Sequence, residues 1–277
     1  MALVISGNLA LGTTASELSL KHPRIGYENR CRDANCTITT STAQANLGGD
    51  SVISGLTYDF WKPTTTPATI TFAFTEAITA DYCGIAAHTL TQTSNSVELE
   101  YWDAAASPAA WVSLGSVLPG NSNGNPTIMF LFDEISSQTW RLTLTGAGEI
   151  PTIGVVNLGA ALKVERRIYG GHTPITLSKN TVIRPNKSEN GQFLGRSIIR
   201  EGATTGISLK NLTPAWVRAS FYPFMDSART YPFFWAWRPQ LYADEVAYVW
   251  VNKDIVVSNS GQADLMDTSF TVEGFIE

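Results

Sequence analysis

The sequence predicts an all-β protein: a β-sandwich followed by a second, mostly β domain with short helical turns. Thr, Ser, Gly, Asn and aromatic residues are abundant while Lys and Glu are scarce, a bias toward pleated surfaces and turns. Short segments alternate apolar and polar residues with a period of two. Clusters of turn-forming residues separate these segments at the spacing of a sandwich. At 277 residues, two domains are the natural expectation.

Residues 1–24 include an apolar start and the run Leu9-Ala10-Leu11-Gly12, then a polar stretch ending at His22-Pro23. They are expected to form an N-terminal arm or strand that docks on this chain or on a neighbour. The first domain is expected over 25–162. A short β-prone run begins at Cys36 and precedes the turn Gly48-Gly49-Asp50. Ile70, Phe72 and Phe74 face one way and Thr69, Thr71 and Ala73 the other, as in a half-buried strand. Val97, Leu99 and Tyr101 oppose Glu98, Glu100 and Trp102 in the same manner. Ile128 to Phe132 is apolar on both faces and suits a central strand. Trp140, Leu142 and Leu144 alternate with Arg141, Thr143 and Thr145. Thr64–Pro67, Thr91–Asn95, Ala104–Pro108 and Pro119–Pro126 read as loops.

The second domain, 163–277, alternates less cleanly. Val246, Tyr248 and Trp250 share one strand face, and Phe270 and Val272 open the last strand. Thr213 followed by Pro214 predicts a capped helix start.

Composition excludes several classes. No apolar run approaches the roughly 18 residues of a membrane span, and the N-terminus lacks the basic and apolar regions of a secretory signal. Cys31, Cys36 and Cys83 are too few for a disulfide framework and are expected reduced. The scattered His22, His88 and His172 do not form zinc-ligand pairs. No cofactor or metal is expected. Lys and Arg are unevenly spread: six against thirteen acids over 1–162, twelve against four over 163–238, and one against seven over 239–277. Solvated faces explain this, or complementarity between stacked subunits. The basic residues are dispersed, so nucleic-acid recognition is not expected. No catalytic signature is present, and no enzyme activity is expected.

Two constellations stand out. The block Tyr231, Phe233, Phe234, Trp235, Trp237, Arg238 and Tyr242 has the composition of an assembly interface, or of a domain core. On the sandwich loops, Trp61, Trp102 and Trp111 are candidates to stack on a sugar, with Asp59, Asn95 and Asn121 as hydroxyl partners. For each tryptophan taken singly, core packing outweighs sugar contact.

The run from Gly55-Leu56-Thr57-Tyr58-Asp59-Phe60-Trp61 through Asp81–His88 to Ile153-Gly154-Val155-Val156-Asn157-Leu158-Gly159 resembles the discoidin-like, galactose-binding-like jelly roll. Ser188–Ser197 and Pro232–Trp250 are similar to segments of tail-tip or baseplate (distal or minor tail) proteins of long-tailed bacteriophages and prophages. The resemblance implies a virion structural protein at the tail tip, assembled in the host cytoplasm. It implies a homo-oligomeric ring, of sixfold or else threefold symmetry, contacting tail-tube, hub and tape-measure proteins. It leaves open a glycan-binding adhesin role toward a host surface glycan. It carries over no active-site residues.

Overall fold

The structure is a computed structural model describing residues 3–4, 9–12, 17–119, 126–261 and 264–274. The strands, in chain order, are β1 (Leu3–Val4), β2 (Leu9–Gly12), β3 (Arg24–Gly26), β4 (Cys36–Thr40), β5 (Ala68–His88), β6 (Ser96–Asp103), β7 (Ala110–Val117), β8 (Ile128–Thr145) and β9 (Ile153–Gly159). They continue with β10 (Leu162–Lys163), β11 (Val182–Lys187), β12 (Phe193–Arg200), β13 (Ala203–Leu212), β14 (Phe233–Ala236), β15 (Val246–Val251), β16 (Val257–Asn259) and β17 (Met266–Gly274).

The expected jelly-roll sandwich is built on two long strands. β5 and β8 pair antiparallel from Ala68↔Leu144 to Ile85↔Ile128, with irregularities between Ala73 and Ile78 and between Ala80 and Tyr82. Such bulges add twist, so one strand pair can curl around a core. β4 and β9 join β5, while β6 and β7 extend from β8. Trp61, Phe72, Phe130 and Trp140 lie at its centre, each at most 2% exposed.

Ile128–Phe132 is the central strand that its apolar run predicts. Ile128, Phe130 and Phe132 enter the sandwich core, while Met129 and Leu131 enter a second cluster. The N-terminal strand docks on its own chain: Leu9–Gly12 pairs parallel with Met129–Phe132. The three cysteines are free thiols.

The second sheet runs β10-β3-β14-β15-β17-β13, with β16 on β17. Strand β3 belongs to it, so the chain visits this sheet at Arg24–Gly26 before completing the sandwich. Its core is aromatic: Phe221 and Phe224, on the helical segment after Pro214, pack with Phe233 and Trp235. Thr213 caps that segment, its hydroxyl accepting from the Trp216 N–H at 3.4 Å. Thr213 is in turn held by Glu165, whose Oε2 accepts the Thr213 N–H at 2.8 Å.

The two sheets meet in an apolar layer of Tyr82, Met129, Leu131 and Val155 against Phe234, Val246 and Tyr248. The Tyr248 hydroxyl donates to the Gly55 carbonyl at 2.8 Å, tying the second sheet to a sandwich loop. Among the described residues, β11 and β12 pair only with one another and form a separate two-stranded hairpin.

Candidate functional site

Three adjacent strands of the sandwich present a charged aromatic cluster on their outer face. The alternation that sends Val97 and Leu99 inward leaves Glu98, Glu100 and Trp102 outside. The same rule places Arg141 and Thr143 outside, between buried Trp140, Leu142 and Leu144. The register sets Glu100 opposite Arg141 and Trp102 opposite Trp111. The turn between β6 and β7 is pinned by Asp103, whose Oδ1 accepts the Ala105 and Ala106 N–H groups at 2.9 and 3.2 Å.

Arg141 forks onto Glu100 through Nε and a terminal nitrogen, both at 2.7 Å. The Thr143 hydroxyl adds a bond to Glu100 at 2.6 Å. Burial works against the Glu100 charge, but the bonds from Arg141 and Thr143 outweigh it and hold the carboxyl below its ordinary value. The Arg141 guanidinium also lies 4.0 Å from the Trp111 ring centre. Trp111 meets Trp102 edge-on, with centroids 5.4 Å apart.

The polar face continues across β5 and β4. Thr71 stands opposite Arg141 and Thr39 opposite Thr71. With strands about 4.8 Å apart, the face from β7 to β4 spans about 19 Å. Trp102 and Trp111 are half-buried, neither sealed in the core. Aromatic ring surface beside fixed hydroxyl and guanidinium groups is chemistry suited to a polyhydroxylated ligand. Among the described residues, no group of three or more His, Cys, Asp and Glu could hold a metal ion.

Of the sugar-contact candidates among the described residues, the structure brings together Trp102 and Trp111. Trp61 is corrected: it is 0% exposed, and its indole N–H donates to the Thr42 carbonyl at 3.0 Å, so neither ring face can meet a ligand. Asn95 is also fully buried, and its amide donates to the Thr93 and Glu149 carbonyls, both at 2.8 Å, which makes it a loop brace. Asp59 is half-buried on the loop before Trp61. Asn121 lies outside the described residues. Glu100 and Arg141 were missed as site residues. The signal was their place on the polar faces of two alternating strands, which becomes a site only once those strands are known to be neighbours.

The aromatic block divides. Phe233, Phe234 and Trp235 are at most 1% exposed, so for them the interface expectation is corrected and the core alternative holds: strand β14 is central in its sheet and buried on both faces. Trp237 stacks on Tyr242 with centroids 5.1 Å apart and planes 4° from parallel. Arg238 covers Trp237 at 4.7 Å and donates to the Ile168 carbonyl at 2.8 Å. Tyr231, under the Arg32 guanidinium at 4.3 Å, and Tyr242 remain exposed.

Among the described residues, the β11–β12 hairpin groups six exposed large apolar side chains: Val182, Ile183, Phe193, Leu194, Ile198 and Ile199. Phe193 and Leu194 are each 66% exposed, Ile199 is 65% and Ile198 is 54%. Residues 182–200 carry four Lys/Arg against one Glu, while the remaining chain carries fifteen against twenty-three acids.

No family model and no curated protein matches the chain. Among solved structures, it is similar to a Ruminococcus gnavus GH29 fucosidase in complex with fucose, at 12% identity and a TM-score of 0.41, covering 48% of this chain and 26% of that one. It is also similar to the family 32 carbohydrate-binding module of Clostridium perfringens NanJ in complex with galactose, at 11% identity and TM-score 0.37, covering 49% and 98%. A chitosan-binding module from Paenibacillus sp. IK-5 matches at 15% identity and TM-score 0.37, covering 45% and 94%.

Proposed function

We propose that this chain is a structural subunit of a bacteriophage tail tip or baseplate. In this reading its second domain joins a homo-oligomeric ring at the distal tail, and its jelly roll projects outward. The observation that supports it most is the β11–β12 hairpin. An isolated two-stranded hairpin is marginal in water, and apolar residues exposed in such number mark an interaction surface. The hairpin's positive charge suits the excess of acids on the rest of the chain, so a second copy is the fitting partner. Repeated head-to-tail contacts of this kind form a ring when the rotation between copies closes, and a ring is the closure proposed. The resemblance of Ser188–Ser197, which forms the hairpin turn and most of β12, to tail-tip proteins points the same way. Sixfold symmetry is proposed, with tail-tube, hub and tape-measure proteins as neighbours, in a particle assembled in the host cytoplasm. Electron microscopy of the purified protein and of virions tests it: rings, or density encircling the tail end, are expected.

A second reading is favoured by the Trp102–Trp111–Arg141 cluster: a glycan-binding adhesin role, contacting the host surface through the sandwich. It predicts weak, sugar-specific binding on a glycan array that disappears in Trp111→Ala. The two readings are compatible, since a ring subunit can display a binding face.

A further inference from the structure

A cavity of about 820 Å³ opens beside the second sheet, between the segment after β10 and the end of β13. It lies apart from both the tryptophan face and the hairpin. Arg166, Arg167 and Lys210 line it. Among the described residues, no carboxylate lies within 4.0 Å of any of these cations. The acid in the lining, Glu165, is turned to other use: both of its oxygens accept from Thr213, at 2.8 and 3.1 Å. Three cations therefore share a concave site with one carboxylate, Glu165, an excess of positive charge that raises the local concentration of anions.

The rest of the lining adds recognition. Arg166 is steadied by its Nε bond to the Asn211 carbonyl at 3.3 Å, and Arg167 by a 2.7 Å bond to the Tyr169 hydroxyl. The Arg167 guanidinium lies over the Tyr169 ring, 5.2 Å from its centre, and the ring, 78% exposed at the rim, keeps its other face for the C–H face of a sugar. Ser208 and Asn211 line the wall and can bond ring hydroxyls. Gly170 has no atom within 4 Å of the position a Cβ would take, so ligand atoms can approach the backbone there. The volume is several times that of one oxyanion and falls in the range of small-molecule sites.

From this convergence of unpaired cations, an exposed ring and hydroxyl partners in one cavity, we propose that this pocket binds an anionic saccharide, one bearing a phosphate or a carboxylate. The guanidinium and ammonium groups would hold the anion and Tyr169 the sugar ring.

Titration calorimetry of the full chain at fixed ionic strength tests it, with glucose 6-phosphate, glucuronate and glucose as probes. At least one charged probe should bind roughly tenfold or more tighter than glucose, and the stronger of the two identifies the anion. The double variant Arg166→Gln/Lys210→Gln should weaken that binding roughly tenfold or more with an unchanged melting temperature, because both side chains are exposed. A hairpin variant, Arg196→Gln, should leave it unchanged. Charged probes binding no better than glucose would overturn the proposal. So would charged-probe binding that survives the double variant, or that falls equally in Arg196→Gln.

Discussion

The Phe234 ring packs against the backbone of Gly84: a Cβ added at Gly84 would lie 2.6 Å from it. Gly84 sits on β5 of the sandwich and Phe234 on β14 of the second sheet, so this contact sets how closely the two layers approach. Phe234 also packs against Tyr248, with centroids 5.0 Å apart, in the same layer.

Gly84→Ala should therefore force the ring or the strand to move and destabilise the protein by about 1–3 kcal/mol. Phe234→Ala should cost about 3–5 kcal/mol through the cavity left in the layer. Denaturant melts read both. A neutral Gly84→Ala would mean that the layers do not close on glycine.

Trp61 and Trp111 should separate cleanly. Trp61→Ala removes a fully buried indole and its bond to Thr42, and should cost about 3–5 kcal/mol in thermal unfolding whether or not sugar is present. Trp111→Ala should leave the fold largely intact while abolishing any binding on the tryptophan face. Loss of sugar binding in a fully folded Trp61→Ala would contradict this placement.

The acid response should be a balance of two groups on β5. Burial pushes the Asp81 carboxyl up to about 6, with the Ala161 N–H and Arg24 pulling against it and Glu134 and Glu28 adding to it. Its ionised form is thus destabilised in the fold, and its contribution to stability improves as pH falls from about 6 toward 4. Burial pushes His88 down to about 4, against the Pro126 carbonyl bond. It donates Nε2–H to Pro126 at 2.9 Å and accepts the Leu90 N–H on Nδ1 at 3.3 Å, a neutral ring held on both sides. Its contribution worsens over the window from about 6.5 to 4. Each shift corresponds to about 3 kcal/mol, with opposite sign.

Stability should consequently change little between pH 6.5 and 4 from this pair. Asp81→Asn, which keeps an acceptor for Ala161, should gain about 2–3 kcal/mol at pH 7 and then lose stability on acidification. His88→Gln should do the reverse and gain stability as pH falls toward 4. Urea melts across this range check it; parallel pH profiles in wild type and both variants would contradict the assignment.

The hairpin should govern assembly and not folding. Phe193→Ser with Ile199→Ser changes two exposed side chains and should shift the melting temperature of the dissociated subunit little. Sedimentation should show the assembled species giving way to monomer. Raised salt should weaken assembly of the wild type as well, because the hairpin carries Arg184, Lys187, Arg196 and Arg200.

Period-two patterns made the sandwich legible in the sequence: Ile70/Phe72/Phe74, Val97/Leu99 and Trp140/Leu142/Leu144 all point inward as their alternation requires. The doubly apolar Ile128–Phe132 announced a strand buried on both faces, and Thr213-Pro214 a helix start. Strand partners were not legible. Glu100 and Arg141 are forty-one positions apart in the sequence, and only the pairing of β6 with β8 makes them one cluster. Composition likewise did not separate Phe233, Phe234 and Trp235 from Tyr231 and Tyr242, because rings that fill a core and rings that meet a partner have the same chemistry. The exposed hairpin was hidden for a related reason. Its apolar residues look like core until the pairing leaves them without a neighbour.

The most direct test of the account is the state of the purified protein, measured by multi-angle light scattering and imaged by electron microscopy beside intact virions. Closed rings of the full chain that match density around the distal tail, and that dissociate in the Phe193→Ser/Ile199→Ser variant, are the predicted result. A stable monomer with its hairpin exposed, absent from the tail end of the particle, would contradict it.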